Sequence, residues 1–518
     1  MNVARRCTSV AWVAERSSSE IRLHTARGRW VLLATVLGTS MAFLDATVVN
    51  IALPTIGEDL GGGLSGLQWT VNAYTLALAG LLLLGGSLGD RFGRRRIFCV
   101  GAVWFAAASL LCGLAPSSGL LIAARALQGV GAAMLTPGSL AIIESSFHPD
   151  DRGGAVGAWS GLGGIAGAAG PFMGGYFVEA VSWRLIFLIN LPIAAAVLWV
   201  ARRHVPETRN EEMRAAPLDL RGAAVTALGL AAGTYGLTAG AERGWGSPPV
   251  VAAIAAGAGC LALFVALERR LRWPLVPLRL FASRQFSGAN AVTFVVYGAL
   301  GGALFLLPIQ LQRTAGYSPL AAGAALVPMT LVMLLLSARA GRLAQRIGPR
   351  LPMSVGPAVA GCGLALLGTI DASSPYAAAV LPGVILFALG MSLTVAPLTS
   401  TVLTAGGDEH AGVSSAINNA VARTAGLIAV AVIPAAAGIS TGGLGGSSFA
   451  DGFSRGMWIA AAVCLAGGAV SAVTIRNPAR SDEAAPAPVS SCPLDAPPLR
   501  AHADRPPEPA VAADPGAP

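Results

Sequence analysis

The sequence predicts an all-α membrane protein of fourteen transmembrane helices, arranged as two six-helix bundles with two extra helices between them. Three observations predict it. Hydrophobic residues make up 54% of the 518-residue chain and charged residues only 12%, about half the charged share of an ordinary soluble domain. The mean hydropathy is +0.65, and apolar residues gather in stretches of roughly 20, the length that crosses a ~30 Å hydrocarbon core as a helix. The third observation is charge asymmetry. With both termini on one side, that side collects 29 arginines and the other four, while Arg125 and Arg423 fall inside spans. An odd number of spans would scramble this pattern, and the excess of arginine places both termini in the cytoplasm.

The elements follow in order. Residues 1–30 carry six arginines and no apolar core. They read as a cytoplasmic arm without a cleavable leader, so the first span itself directs insertion. Residues 31–203 form the first bundle, with spans at 31–52, 68–88, 97–115, 119–143, 154–177 and 185–202. Residues 204–285 form a cytoplasmic linker holding two extra spans, 222–240 and 249–267. Residues 286–475 form the second bundle, with spans at 286–308, 319–338, 351–370, 376–402, 411–437 and 456–475. The tail 476–518 is rich in Pro, Ala and Asp; it cannot bury a core and is expected to be disordered.

Composition also excludes chemistry. All 35 basic residues are arginine, so a phosphate-binding loop lacks its lysine and a Schiff-base enzyme lacks its amine. The net charge of +9 sits in loops between apolar spans, not on one folded surface, so no nucleic-acid partner is expected. Seven cysteines are scattered without metal spacing, suggesting neither a disulfide framework nor a zinc site. The five histidines are dispersed and none lies mid-span. Neither an enzyme, a metal nor a cofactor is expected.

A repeat links the bundles. Gly86-Ser87-Leu88-Gly89-Asp90-Arg91-Phe92-Gly93-Arg94-Arg95 follows the second span of the first bundle, and Gly341-Arg342-Leu343-Ala344-Gln345-Arg346-Ile347-Gly348-Pro349-Arg350 follows the second span of the later one. Both read G-x-L-x-x-R-x-G-x-R at equal topological positions, as a duplicated transporter would. The stretch 86–98 resembles the signature between spans 2 and 3 of the major facilitator superfamily. Leu121–Gly131, centred on Arg125, resembles that superfamily's span-4 motif, and Gly167–Gly175 resembles the span-5 signature of its antiporters. Leu44–Pro54, Trp183-Arg184 with Phe187, Asn190 and Pro192, and Asn418-Asn419 with Arg423 and Gly426 resemble the fourteen-span drug:proton antiporters, the EmrB/QacA branch.

The resemblance implies a major facilitator fold and a proton-coupled antiporter. Such a protein exports small, largely apolar or monocationic drugs and antibiotics by alternating access, driven by a proton gradient and without a cofactor. A dedicated exporter of an endogenous metabolite or lipid is the alternative, and a non-transporting sensor a lesser one. The expected setting is the inner (cytoplasmic) membrane, in contact with lipid, with a monomer as the expected state. The resemblance also implies that Gly86, Asp90, Arg91, Gly93 and Arg94 form a conformational lock, with Glu144 a partner for Arg94. Gln345 replaces the acid in the second copy, which weakens or removes that lock.

Asp45 is the one acid placed within the depth of a span. Burial disfavours its charged form and a nearby cation favours it, which suits a group that cycles a proton. Arg125, about two turns into its span, is expected to face the interior and pair with Gln128 or Asp45; the resemblance links it to proton transfer. Gly167, Gly170, Pro171, Gly174 and Gly175 give span 5 a smooth face for close packing and a bend, the makings of a hinge and seal. Phe43, Gln68, Trp69, Asn72, Tyr74, Gln128, Trp159, Tyr297 and Phe305 are candidates to line a midplane cargo pocket.

Overall fold

The computed structural model describes residues 21–210, 218–271, 274–407, 411–439 and 447–477. Residues 1–20 of the arm and the tail from 478, expected to be disordered, lie outside the described residues. Fourteen long helices account for the rest: α1 Ala26–Leu60, α2 Gly63–Phe92, α3 Arg94–Gly113, α4 Ser118–Ser146 and α5 Pro149–Ala180. They continue with α6 Leu185–His204, α7 Leu220–Arg243, α8 Pro248–Glu268, α9 Arg284–Arg313, α10 Pro319–Ile347 and α11 Arg350–Leu367. The last three are α12 Tyr376–Gly406, α13 Ala411–Ala436 and α14 Ser447–Thr474. Among the described residues, twelve of these are long and apolar enough to cross a membrane. The other two, α5 and α7, are rich in glycine, which adds no apolar side chain to raise their hydropathy.

The helices overrun the apolar stretches that announced them. α1 continues eight residues past the expected end at 52, and α14 begins at Ser447, not 456. Hydropathy marks the part of a helix that lipid can hold, whereas the hydrogen-bonded ladder runs on into polar turns. Starts are set by side-chain caps: Thr25 accepts from the Gly28 N–H, Ser283 from Phe286 and Ser318 from Ala321, each satisfying an orphan donor. The repeated loop has a shared geometric reason. Gly93 and Gly348 take φ of +112° and +87°, a left-handed backbone that glycine adopts without strain. Each turns the chain between two helices, α2 to α3 and α10 to α11.

Helices α1–α6 pack among themselves, as do α9–α14. The two groups meet along two seams, α5 against α10 and α2 against α13, with a smaller contact between α1 and α9. The α7–α8 pair stands outside. α7 lies against both α2 and α13 and so covers that seam, while α8 packs on α7. α8 is the most apolar candidate span yet only 11% of its window is buried. Such a surface is stable against lipid and not against water; the molecule is a multi-pass membrane protein.

One end of the molecule gathers Ile21, the α4–α5 turn and the α2–α3 loop, together with the close of α14. Ile21 pairs with Ser146 and His148, Thr208 accepts from the Arg94 N–H, and Gln285 bonds Arg476. This is the inner end below. The groups of helices clasp at the opposite, outer end. There Gln312 donates to the Ile51 carbonyl at 2.9 Å and Arg313 to the Pro54 carbonyl at 3.0 Å. Arg313 also pairs with Glu58 at 2.6 Å, and Glu179 accepts from the Leu320 N–H at 3.0 Å. The seam there is close packed in both directions. Gly175 of α5 rests on the Pro319 carbonyl of α10, and Gly323 of α10 rests on the Pro171 carbonyl of α5. Towards the inner end α5 leaves α10: Gly157, Gly161 and Gly164 face open space. The α5–α10 seam is thus closed at the outer end and parted at the inner end.

Candidate functional site

The site begins with spacing on one helix. Arg125 and Gln128 stand three residues apart on α4 and share a face, which turns towards α1 and α2. Gly129 sits directly on the Tyr74 backbone, a close approach that brings α2 against the arginine. Arg125, Gln128 and Asp45 of α1 each have no more than 1% of their surface exposed.

Nε and Nη1 of the arginine and both oxygens of the acid have partners. Arg125 Nη1 makes a short charge-assisted bond to Asp45 Oδ2 and a second, of 2.7 Å, to Gln128 Oε1. Its Nε donates to the Thr70 carbonyl at 3.0 Å. Gln128 Nε2 donates to the other carboxylate oxygen, Asp45 Oδ1, at 2.7 Å, and to the Ser109 hydroxyl at 2.8 Å. Asn190 Nδ2 reaches that same hydroxyl at 3.3 Å. The guanidinium lies 4.3 Å from the Tyr74 ring centre and 5.8 Å from that of Phe187, so its faces are covered by aromatic π density. A buried ion pair persists only when its remaining donors and acceptors are met in this way.

The expected pairing of Asp45 with Arg125 is therefore present, and Gln128 joins both. Ser109, Cys112, Thr70 and Asn190 complete the centre; the first three carried no signal in the sequence beyond being small or polar, and Asn190 only its place in the resemblance. Other expected pocket residues are spread out. Tyr74 is 1% exposed and its hydroxyl donates to the Ala42 carbonyl at 3.3 Å. Gln68 is spent on a tie across the α2–α13 seam, donating to the Val430 carbonyl at 2.8 Å. Trp159 ties α5 to α1 through Thr39 at 3.0 Å. Phe305 is buried. Phe43 keeps partial exposure beside Gly163, and Asn72 is fully buried with both amide atoms unpartnered.

At the inner end Asp90 pairs with Arg94 at 2.8 Å, four residues on. Gly86 lies beside Pro137, and the Arg91 guanidinium sits 5.5 Å from the Phe92 ring. Among the described residues Glu144, expected on Arg94, makes no ion pair; Arg94 is taken by Asp90, and Glu144 stands beside Gly412 of α13. A strap, 205–210, crosses this loop without any signal in the sequence. Thr208 accepts from the Arg94 N–H and bonds Ser145, Glu207 accepts from the Arg95 N–H at 3.1 Å, and Asn210 donates to the Asp90 carbonyl. The residues expected to form a hinge line a two-sided seam. Gly170 lies on Thr47 and Gly174 on Val48 of α1, Gly175 and Pro171 face α10, and Gly167 approaches Phe43.

A family model described as the Major Facilitator Superfamily matches residues 35–431. The multidrug resistance protein Stp of Mycobacterium tuberculosis is 37% identical over 404 residues, covering 78% of this chain and 74% of that protein. The cephamycin export protein CmcT of Amycolatopsis lactamdurans is 35% identical over 425 residues, 81% of this chain and 87% of that one. Among solved structures, a bacterial homologue of the human lysosomal transporter Spinster, inward-facing and unoccupied, superposes with a TM-score of 0.63. It is 17% identical and covers 87% of this chain and 97% of its own; the likeness is one of fold.

Proposed function

Because the chain belongs to the Major Facilitator Superfamily, a family of transporters and not of enzymes, we propose that it is a proton-coupled antiporter that exports small, largely apolar drugs or antibiotics by alternating access. The resistance and export proteins at 35–37% identity favour drug efflux over dedicated export of a cell metabolite. In this reading fourteen helices span the cytoplasmic membrane, both termini are cytoplasmic, and the inner end faces the cytoplasm. The gradient replaces any cofactor, and the partners are protons, cargo and lipid.

The observation that carries the coupling is the buried Asp45–Arg125 pair between α1 and α4. An ionised acid at that depth is retained where it works. In the inward-facing arrangement the pair is closed over by Gln128, Tyr74 and Phe187. Opening the outer clasp admits water from outside; a proton on Asp45 then cancels the pair and frees Arg125 and Gln128 to rearrange, and cargo leaves. Return to the inward state lets the proton go to the cytoplasm. Glu144, without an ion pair here, takes Arg94 when the inner end closes, which completes the lock with Asp90.

The test is uptake of lipophilic dyes, neutral and of either charge, into energised everted membrane vesicles. Uptake that collapses with a protonophore and with Asp45→Asn, while the variant elutes as a folded protein, is expected. Uptake indifferent to both overturns the coupling.

A further inference from the structure

Arg423 lies near the middle of α13, roughly 18 Å of helix from its first residue at 1.5 Å per residue. Among the described residues it makes no hydrogen bond and no ion pair; its contact is the Phe43 ring of α1, 5.9 Å away. A guanidinium at this depth is held in place by an anion, by carbonyls or by water. The residue keeps partial exposure although it stands where the two groups of helices meet, as do Phe43 and Tyr297 of α9.

Other unspent groups surround it. Tyr297 lies within its electrostatic reach, and among the described residues no hydrogen bond engages the Tyr297 hydroxyl. Asn72 is wholly buried with neither amide atom partnered. It sits one turn from Gln68, on the α2 face that bonds α13 at Val430. Charge arithmetic agrees. Of the three ionisable groups read as mid-span, Asp45 and Arg125 cancel each other, and Arg423 leaves one positive charge over. The monocationic cargo expected from the sequence would need a free acid at this depth, and the acid there is occupied.

We propose that Arg423 is the charge-recognition residue for cargo, and that the cargo carries an ionised acid (carboxylate, enolate or phenolate) on an apolar, aromatic body. The guanidinium fork takes the acid through two parallel N–H donors, Tyr297 and Asn72 supply further donors, and the Phe43 ring stacks on the body. The inference rests on the transport reading above, for it names the class of compound that such a transporter would carry.

The experiment uses three probes on one ring system: 2-naphthoate, 2-naphthamide and 2-naphthylmethylammonium. Their affinities for the purified full-length protein in lipid nanodiscs are read by tryptophan fluorescence, with the fold followed by thermal melting. The wild type is expected to bind the naphthoate at least about tenfold more tightly than either partner. Arg423→Gln is expected to erase that preference while leaving the naphthamide within about twofold, and Arg423→Lys to keep part of it. Equal binding of all three, preference for the ammonium, no binding of any by folded wild type, or a uniform loss for all three in Arg423→Gln would each overturn the proposal. The uniform loss would mark a purely structural arginine. Coupling fails separately: proton-driven uptake that survives Asp45→Asn, with the naphthoate preference still lost in Arg423→Gln, removes the proton mechanism and leaves the cargo class standing.

Discussion

Asp45 and Arg125 are joined through a third residue as well as directly, since Gln128 bonds the guanidinium with its oxygen and the carboxylate with its nitrogen. The closed triangle means that neither charge can be removed without stranding the other and one end of the Gln128 amide. Arg125→Gln is expected to destabilise the protein by about 3–5 kcal/mol, the usual loss when one partner of a buried pair is taken away. The double variant Asp45→Asn/Arg125→Gln, neutral throughout, should recover most of it. Thermal unfolding in detergent, compared across the two single variants and the double, checks the sign and size of the recovery.

The reciprocal seating of Gly175 and Gly323 leaves no room for a side chain at the outer seam. Gly175→Leu is expected to hold the outer clasp apart and to enrich an outward-facing form with a folded core. Distances between spin labels on the outer turns of α5 and α10 should lengthen by several ångströms. An unchanged distance distribution would show that the seam yields locally instead.

Glu179 lies beyond the apolar stretch 154–177, on the outer surface. Its carboxyl is held below the ordinary range by the Ser318 hydroxyl and then by the Leu320 N–H, both across the clasp. A group whose value is lowered in the clasped form favours that form above its free value, and the advantage fades as pH falls through the lower one. The clasp should therefore be indifferent to pH across neutrality and loosen only below the free glutamate value of about 4.3. Glu179→Gln should abolish that acid limb. Outer-end label distances measured against pH decide it.

The strap 205–210 fixes the start of α3. Glu207 faces the positive end of that helix and stands 3.6 Å from Arg95, both partly exposed. Glu207→Gln is expected to cost about 1 kcal/mol, from the helix-terminus interaction and a solvent-screened pair. Faster amide exchange at residues 94–97 and 205–210, with the rest of the chain unaffected, is the expected readout.

How far the sequence reached can be read from these same residues. Helices were legible because lipid demands unbroken apolar stretches, and the Asp45–Arg125 pairing because unpaired charges at that depth are costly. The outer clasp was not. Its partners are the carbonyls of Ile51 and Pro54 and the N–H of Leu320, groups that every sequence has and none advertises. The strap escaped for a like reason, since an irregular segment has no periodicity to read. Gln68 and Tyr74 suited a pocket by chemical type, yet one is spent on a seam and the other on covering a guanidinium; residue type does not tell which face of a helix is already occupied. Arg423 was visible, and its meaning lay in what fails to stand beside it.

The α7–α8 pair leaves the two seams inequivalent. With α7 lodged across α2 and α13, any rocking of the halves must shear that helix along both, as a splint bound over one side of a joint. The α5–α10 side carries no such splint and already stands apart towards the inner end. Opening is then eccentric, wider on one flank than the other. In the orientation proposed above, a compound dissolved in the inner leaflet would meet a fence on one side of the protein and a doorway on the other.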